Sequence, residues 1–269
     1  MSTEGRRIEV RGTVQGVGFR PWIYRLAADG GVTGRVRNDA VGVVIDAFGS
    51  PEALEGFARR LRSEHPPAAD IVAIDWHTIP PEPVDRFIIA GSTTTNELRV
   101  SIPPDLATCD ECLAEMLDPL NRRYRYPFTN CTHCGPRFTI AGDVPYDRAA
   151  TTMAPFTMCE ACQREYDDPA NRRFHAQPNA CPVCGPQLTL LTRTGEAVEC
   201  ADAIDGAAGA LNRGAIVAVK GLGGFHLACD ATNTDAIARL RELKRREEKP
   251  FAVMVADLRT AERLAWLTH

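Results

Sequence analysis

The chain has 269 residues, 44% hydrophobic and 25% charged, with a formal charge of −4. That composition fits a folded multidomain chain and argues against general nucleic-acid binding. No run of about 18 apolar residues occurs, so no transmembrane helix is expected. The opening Met1-Ser2-Thr3-Glu4-Gly5-Arg6-Arg7 leads into a strand and not an apolar signal segment. The expectation is a cytoplasmic chain, with no membrane or nucleic-acid partner and with its thiols reduced.

Residues 6–91 read as one unit. Ile8 and Val10 alternate as in a strand, and a Gly-rich loop follows at Gly12–Gly18. Phe19–Ala28 is predicted helical and closes at Gly30-Gly31. Val32–Arg37 and Val41–Phe48 are predicted strands, joined by the turn Asn38-Asp39-Ala40. Pro51 starts a second helix, whose apolar face is Leu54, Phe57, Ala58 and Leu61. Ile71–Ile79 and Phe87–Ile89 supply further strands. The order βαββαβ is ferredoxin-like.

The loop Gly12-Thr13-Val14-Gln15-Gly16-Val17-Gly18-Phe19-Arg20 joins a strand to a helix. Glycines let its N–H groups converge on one anion at the helix N-terminus. Arg20 can grip phosphoryl oxygens in a bidentate manner, and Asn38 can orient a water. On loop chemistry alone, a plain Gly-rich turn with a surface arginine competes with this reading. The residues G-x-V-Q-G-V-x-F-R, then Gly34-Arg35-Val36-Arg37-Asn38, resemble the acylphosphatase signature. The resemblance implies hydrolysis of a carboxyl–phosphoryl anhydride without metal or covalent intermediate. Gln15, Gly16, Val17, Gly18 and Phe19 would form the phosphate loop, with Arg20 binding the phosphoryl group and Asn38 the attacking water.

Gly91-Ser92-Thr93-Thr94-Thr95 and Pro103-Pro104 read as a linker to a cysteine-rich region at 105–190. Cys109, Cys112, Cys131 and Cys134 read C-x2-C-x18-C-x2-C, and Cys159, Cys162, Cys181 and Cys184 repeat that spacing. The copies 109–134 and 159–184 also share Asp118-Pro119/Asp168-Pro169 and Asn121-Arg122-Arg123/Asn171-Arg172-Arg173. Paired thiols on tight turns suit a closed, structural zinc site. Two zinc ions are expected, with disulfides and an iron–sulfur centre as competing readings. Sequential pairing is the default because each repeat is self-sufficient, and a crossed pairing stays open. A helix over Leu113–Leu117 would favour the thiolate forms of Cys109 and Cys112. Each four-thiolate zinc site carries −2, which the neighbouring Arg122-Arg123 and Arg172-Arg173 can offset; a solvated basic turn is the competing reading. Eight thiolates and two zinc ions together take the chain from −4 to about −8. His133 and His175 are expected beside the sites or at the surface and not as ligands. Cys200 and Cys229 lack partners at ligand spacing.

From 202 to 269 the chain reads as a helix at Ala203–Leu211, a strand at Ile216–Val219, a loop at Gly221–Gly224, a helix at Asp235–Arg246 and a strand at Phe251–Val255. Ala215 to Asp230 and Leu243 to Val253 resemble the start of a YrdC-type domain. YrdC-type domains bind ATP and make acyl-type adenylates. The resemblance implies nucleotide-binding roles for Lys244, Arg246 and Lys249, whose competing reading is a solvated helix end. Lys220–Gly224 departs from the commoner P-T-[DE]-T form. With only a strand, a helix and a strand, the sheet cannot close, and the domain is expected to be incomplete at His269.

Acylphosphatase-like, paired zinc modules and YrdC-like, in that order, resemble the N-terminal part of the HypF family of carbamoyltransferases, which mature nickel–iron hydrogenases. The fold class is thus α+β multidomain, with a ferredoxin-like acylphosphatase domain and a truncated α/β YrdC-like domain. The resemblance implies hydrolysis of carbamoyl phosphate to carbamate, its adenylation with ATP, and transfer to a cysteine of a HypE-type acceptor protein by a further domain. Full transfer is not expected of this chain. A stand-alone acylphosphatase with zinc regulatory modules and a zinc-dependent protein-binding module are the alternatives.

Overall fold

The computed structural model describes residues 3–92, 102–221 and 224–267. Residues 93–101 of the expected linker, Leu222 and Gly223 of the expected loop, and His269 lie outside the described residues. The chain divides into two compact units, Met1–Gln187 and Leu188–His269. The sheet domain and the cysteine-rich region, separate segments in sequence, thus share one unit.

In the first unit, β1 (Glu4–Thr13) leads to α1 (Phe19–Asp29), β2 (Thr33–Asn38), β3 (Val43–Gly49), α2 (Pro51–Ser63), β4 (Asp70–Ile79) and β5 (Phe87–Ile89). The sheet order is β4-β1-β3-β2-β5. β1 runs antiparallel to β3 and β4, β2 is antiparallel to β3, and β5 is parallel to β2. The expected ferredoxin-like order is present. The turn falls later than expected, and Asn38 closes β2 instead of starting the turn. Asp39 explains the shift: its Oδ1 accepts the N–H of Val41 and of Gly42, both at 2.8 Å. This side-chain turn tightens the chain after the strand has ended.

Alternate residues Ile8, Val10, Val36, Val43, Ile45 and Ala47 face a core completed by Phe19, Ile23 and Leu26 of α1 and Leu54, Phe57 and Leu61 of α2. Ser50 caps α2 by accepting the Ala53 N–H at 3.2 Å, with Pro51 at its first position. Asp46, between Ile45 and Ala47, points to the opposite face. Its side chain is fully buried among Arg7 (2.6 Å), Arg35 (2.9 Å) and Arg37 (3.1 Å). Burial pushes its pKa up, but hydrogen bonds from Arg7 and Arg35 outweigh that and hold it at about 2.

The cysteine-rich region adds α3 (Asp110–Leu117) and α4 (Glu160–Asp167), each starting just after the first cysteine of its repeat. It packs on α1, where Tyr24 meets Phe174 edge-on at 5.3 Å.

The second unit holds α5 (Ala203–Asn212), β6 (Val217–Gly221), β7 (Gly224–Ala228), α6 (Thr234–Lys244) and α7 (Leu258–Glu262). Three expectations change here. Gly224–Ala228 is the return strand of a hairpin, with Lys220 opposite Phe225. The helix stops before Arg245, which takes a left-handed φ of 50°. Phe251–Val255 is not a strand: Val253 and Met254 are exposed, and among the described residues no neighbouring backbone pairs with the run. No helix among the described residues is long and apolar enough to cross a membrane.

Asp46→Asn should destabilise the chain by about 2 kcal/mol, less than a fully buried pair because the three arginines keep some solvent contact. Because folding depresses the Asp46 pKa, its contribution is present above the unfolded value of 3.8 and is lost as the pH falls towards about 2. Denaturant melts of native and variant chains should therefore differ at pH 6 and converge across that window.

Candidate functional site

The β1–α1 loop curls into a cradle because its backbone takes conformations that favour glycine. Gly16 and Gly18 both have φ of 73°, and Gly18 caps α1. Among the described residues, no acceptor takes the N–H groups of Gly16, Val17, Gly18, Phe19 or Arg20. Gln15 is buried and joins the loop to the β2–β3 turn, its Nε2 donating to the carbonyls of Asp39 (2.7 Å) and Gly42 (2.8 Å). Arg20 and Asn38 line one cavity with Gly16 and Gly18. Asn38 is buried, and its Oδ1 has no hydrogen-bond partner among the described residues. Its Nδ2 reaches the Tyr146 carbonyl at 3.4 Å.

The other wall comes from the cysteine-rich region: Thr132, Arg137, Tyr146, His175 and Gln177. Asp147 accepts from Arg20 Nη2 at 2.6 Å, and Ser92 donates to Asp147 while receiving Arg20 Nη1 at 3.4 Å. A cavity of about 30 Å³ is left, room for about one water. His175 is half-buried with φ of 52° and stacks near Tyr166. Burial and then the Arg20 charge push its pKa down to about 4, so it is neutral near pH 7. Sequence reading had no means of finding Asp147, Tyr146 or Gln177, which sit far from the loop motif. Arg137 left one trace: the second repeat carries Gln187 at the matching position.

The cysteines form two clusters, Cys109–Cys112–Cys131–Cys134 and Cys159–Cys162–Cys181–Cys184, in the sequential pairing. Sulfurs lie 3.7 Å apart for Cys109–Cys131 and 3.8 Å for Cys131–Cys134. In the second cluster the spacings are 3.7 Å for Cys159–Cys181, 3.8 Å for Cys181–Cys184 and 3.6 Å for Cys184–Cys162. Tetrahedral zinc with bonds of about 2.3 Å sets sulfurs roughly 3.8 Å apart, whereas a disulfide sets them at about 2.05 Å. The donor set therefore fits zinc. His133 is exposed and, like His175, belongs to neither cluster. Cys200 and Cys229 stand outside both.

The arginine pairs offset these charges across the repeat, not within it. Arg122 donates to Cys162 Sγ from both Nη atoms at 3.4 Å, and Arg172 donates to Cys112 Sγ at 2.9 Å. Glu165 bridges Arg122 (2.7 Å) and Arg123 (2.6 Å), while Glu115 bridges Arg172 (2.5 Å) and Arg173. Burial raises the Glu165 pKa, but the hydrogen bonds from Arg123 and Arg122 outweigh it and leave the value at about 2. The buried Arg123 also donates to the Ala180 carbonyl, and Arg173 to the matching Asn130 carbonyl. Glu115 and Glu165 are shared by the repeats, a signal the sequence offered.

In the second unit, Lys244 ends α6, and both Lys244 and Lys249 are exposed. Arg241 donates to the carbonyls of Arg246, Glu247 and Lys249, each at 3.3 Å. Those bonds order the main chain that follows α6.

Residues 6–89 match the acylphosphatase family, and 108–141 and 158–191 each match the HypF finger family. Residues 209–268 match the Sua5/YciO/YrdC family, described as telomere recombination. A carbamoyltransferase HypF2 of Cupriavidus necator is 58% identical over 95% of this chain and 32% of its own length. The solved structure of a full-length HypF in the phosphate- and nucleotide-bound form matches with TM-score 0.90 and 44% identity, over 97% of this chain and 34% of that one. The chain belongs to the HypF family. It spans about a third of the length of the curated relatives it matches. An acylphosphatase of Enterococcus faecalis, 38% identical, is covered over 80% of its length by the first HypF segment.

Because each HypF finger is braced by the other's arginines, metal loss should be cooperative. Cys112→Ser should lower zinc by more than one equivalent per chain, read by elemental analysis. A strong chelator should release both ions in one transition; two separate transitions would show independent fingers. The sheet domain has its own core and should stay folded, with its cradle opened on the finger side.

Proposed function

We propose that the first unit hydrolyses an acyl phosphate, carbamoyl phosphate in the family's setting, to carbamate and inorganic phosphate. The observation that carries this is the convergence of Arg20, unpartnered loop N–H groups and the orphan Asn38 Oδ1 on one cavity. An unpaired buried acceptor is costly, and a water donating to it would be held next to the phosphoryl site. Arg20 and the loop N–H groups would bind the phosphoryl oxygens and stabilise the charge that builds on them. The water oxygen attacks phosphorus, the bond to the acyl oxygen breaks, and carbamate leaves with the electron pair. The water's proton passes to solvent. Gln15, Gly16, Val17, Gly18 and Phe19 form the cradle in this reading.

Asp147 occupies the guanidinium that the substrate needs. A phosphoryl dianion must displace this carboxylate, whose side chain is 29% exposed and has solvent to turn towards. Two zinc ions, held by the eight thiolates, would fix the finger wall of the site. The relatives' carbamoyltransferase names and the YrdC match of residues 209–268 support carbamoyl transfer as the setting. In this reading a complete YrdC-like domain forms a carbamoyl adenylate from ATP, with Lys244, Arg246 and Lys249 as nucleotide contacts, and the carbamoyl group passes to a HypE-type acceptor. A cytoplasmic location accords with reduced thiolates.

Phosphate release from carbamoyl phosphate, compared with acetyl phosphate, tests the reading; no release from either would sink it. Arg20→Ala should lower kcat/KM by more than about a hundredfold while the melting temperature holds. Asp147→Asn should make inorganic phosphate a stronger competitive inhibitor, by roughly three- to tenfold, because the competent state no longer competes with an internal anion.

A further inference from the structure

The phosphate loop is tied to the first metal cluster by one side chain. Arg137 is 2% exposed, and all five of its guanidinium N–H groups meet main-chain carbonyls. Nη2 donates to Cys131 (3.0 Å) and Thr132 (2.9 Å), and Nη1 to Cys134 (3.1 Å) and Pro136 (2.8 Å). Nε donates to the carbonyl of Gly16, inside the cradle. Asp105 accepts the Arg137 backbone N–H at 2.9 Å, so the residue is fixed at both ends.

The second repeat supplies an internal control. Its Gln187 also donates to turn carbonyls, those of Pro182 and Gly185, which match Thr132 and Gly135. Holding a cysteine turn thus needs only a glutamine. The arginine adds the reach to Gly16, and only the repeat that faces the phosphate loop has it.

We propose that Arg137 is a positioning residue of the anion cradle, holding the Gly16 carbonyl so that the neighbouring N–H groups stay set for a phosphoryl group. The proposal rests on the acylphosphatase reading. The Gly16–Val17 peptide is trans, so its N–H points opposite its carbonyl, and fixing one fixes the other. The held carbonyl dipole is turned onto a cation and cannot swing to face the bound anion. The guanidinium also lines the cavity, adding positive potential beside Arg20. The metal cluster acts on the phosphate site through this side chain.

The test uses the whole chain, with inorganic phosphate as the binding probe and acetyl phosphate as the kinetic one. Arg137→Gln copies Gln187, so it should keep the turn and both zinc ions yet fall short of Gly16. Phosphate affinity should drop about tenfold, with KM rising by a similar factor and kcat falling less. Arg137→Lys should recover part of the loss, having fewer donors but the same charge. Native affinity in Arg137→Gln, with both zinc ions bound, would overturn the proposal. So would loss of zinc with affinity tracking metal content, since that would make Arg137 only a support of the turn. Should the native chain itself fail to bind phosphate or cleave acetyl phosphate, the acylphosphatase reading falls first.

Discussion

A closed site of four thiolates around a divalent ion carries −2, and that charge is costly to bury without cations nearby. The fingers meet this constraint by exchange. Arg122 and Arg123 go to the second cluster, Arg172 and Arg173 to the first, and Glu115 and Glu165 hold each pair in line. Planar guanidinium groups suit this because they bridge a carboxylate and a sulfur at once. Neither finger is then electrostatically complete alone. The exchange turns two short, helix-poor repeats into one body with little apolar core of its own beyond Tyr126, Ile140, Met153 and Ala180.

That body serves as one wall of the anion site. A small ferredoxin-like domain can shape a phosphate loop but leaves it open to solvent. Here the fingers contribute Arg137 against Gly16, Tyr146 against Gln15 at 2.9 Å, and Asp147 against Arg20. One contact holds loop main chain, at Gly16, and two hold loop side chains, Gln15 and Arg20. They also narrow the cavity, strengthening each electrostatic interaction within it. One wall of the cavity is thus held by the turns that carry the first cysteine cluster.

The second unit follows a different balance. Its helices are capped well, by Asp202, Asn233 and Asp257, yet among its described residues only Gly214, Ala236 and Leu240 are buried. Local signals suffice for helices and a hairpin. Ordering Lys244, Arg246 and Lys249 around a ligand takes surrounding surface, which exposed residues such as Met254 and Leu258 do not find among the described residues.

The sequence by itself determined the elements whose signals are local. Alternation fixed the strands and α-helical spacing the helices of the sheet domain. Glycines marked the β1–α1 loop, Arg20 and Asn38 two side chains of its cavity, and doubled cysteine spacing the two clusters. It erred where local preference and partner disagreed: Phe251–Val255 reads as a strand but lacks a neighbour to pair with among the described residues. Only the tertiary structure decided that the arginine pairs cross between repeats, that the cysteines pair sequentially, and that Asp147 and Arg137 reach the loop. Those choices depend on charge neutralisation and hydrogen bonding between segments up to about 130 residues apart, such as Gln15 and Tyr146. Residue spacing along a chain carries no direct record of such contacts.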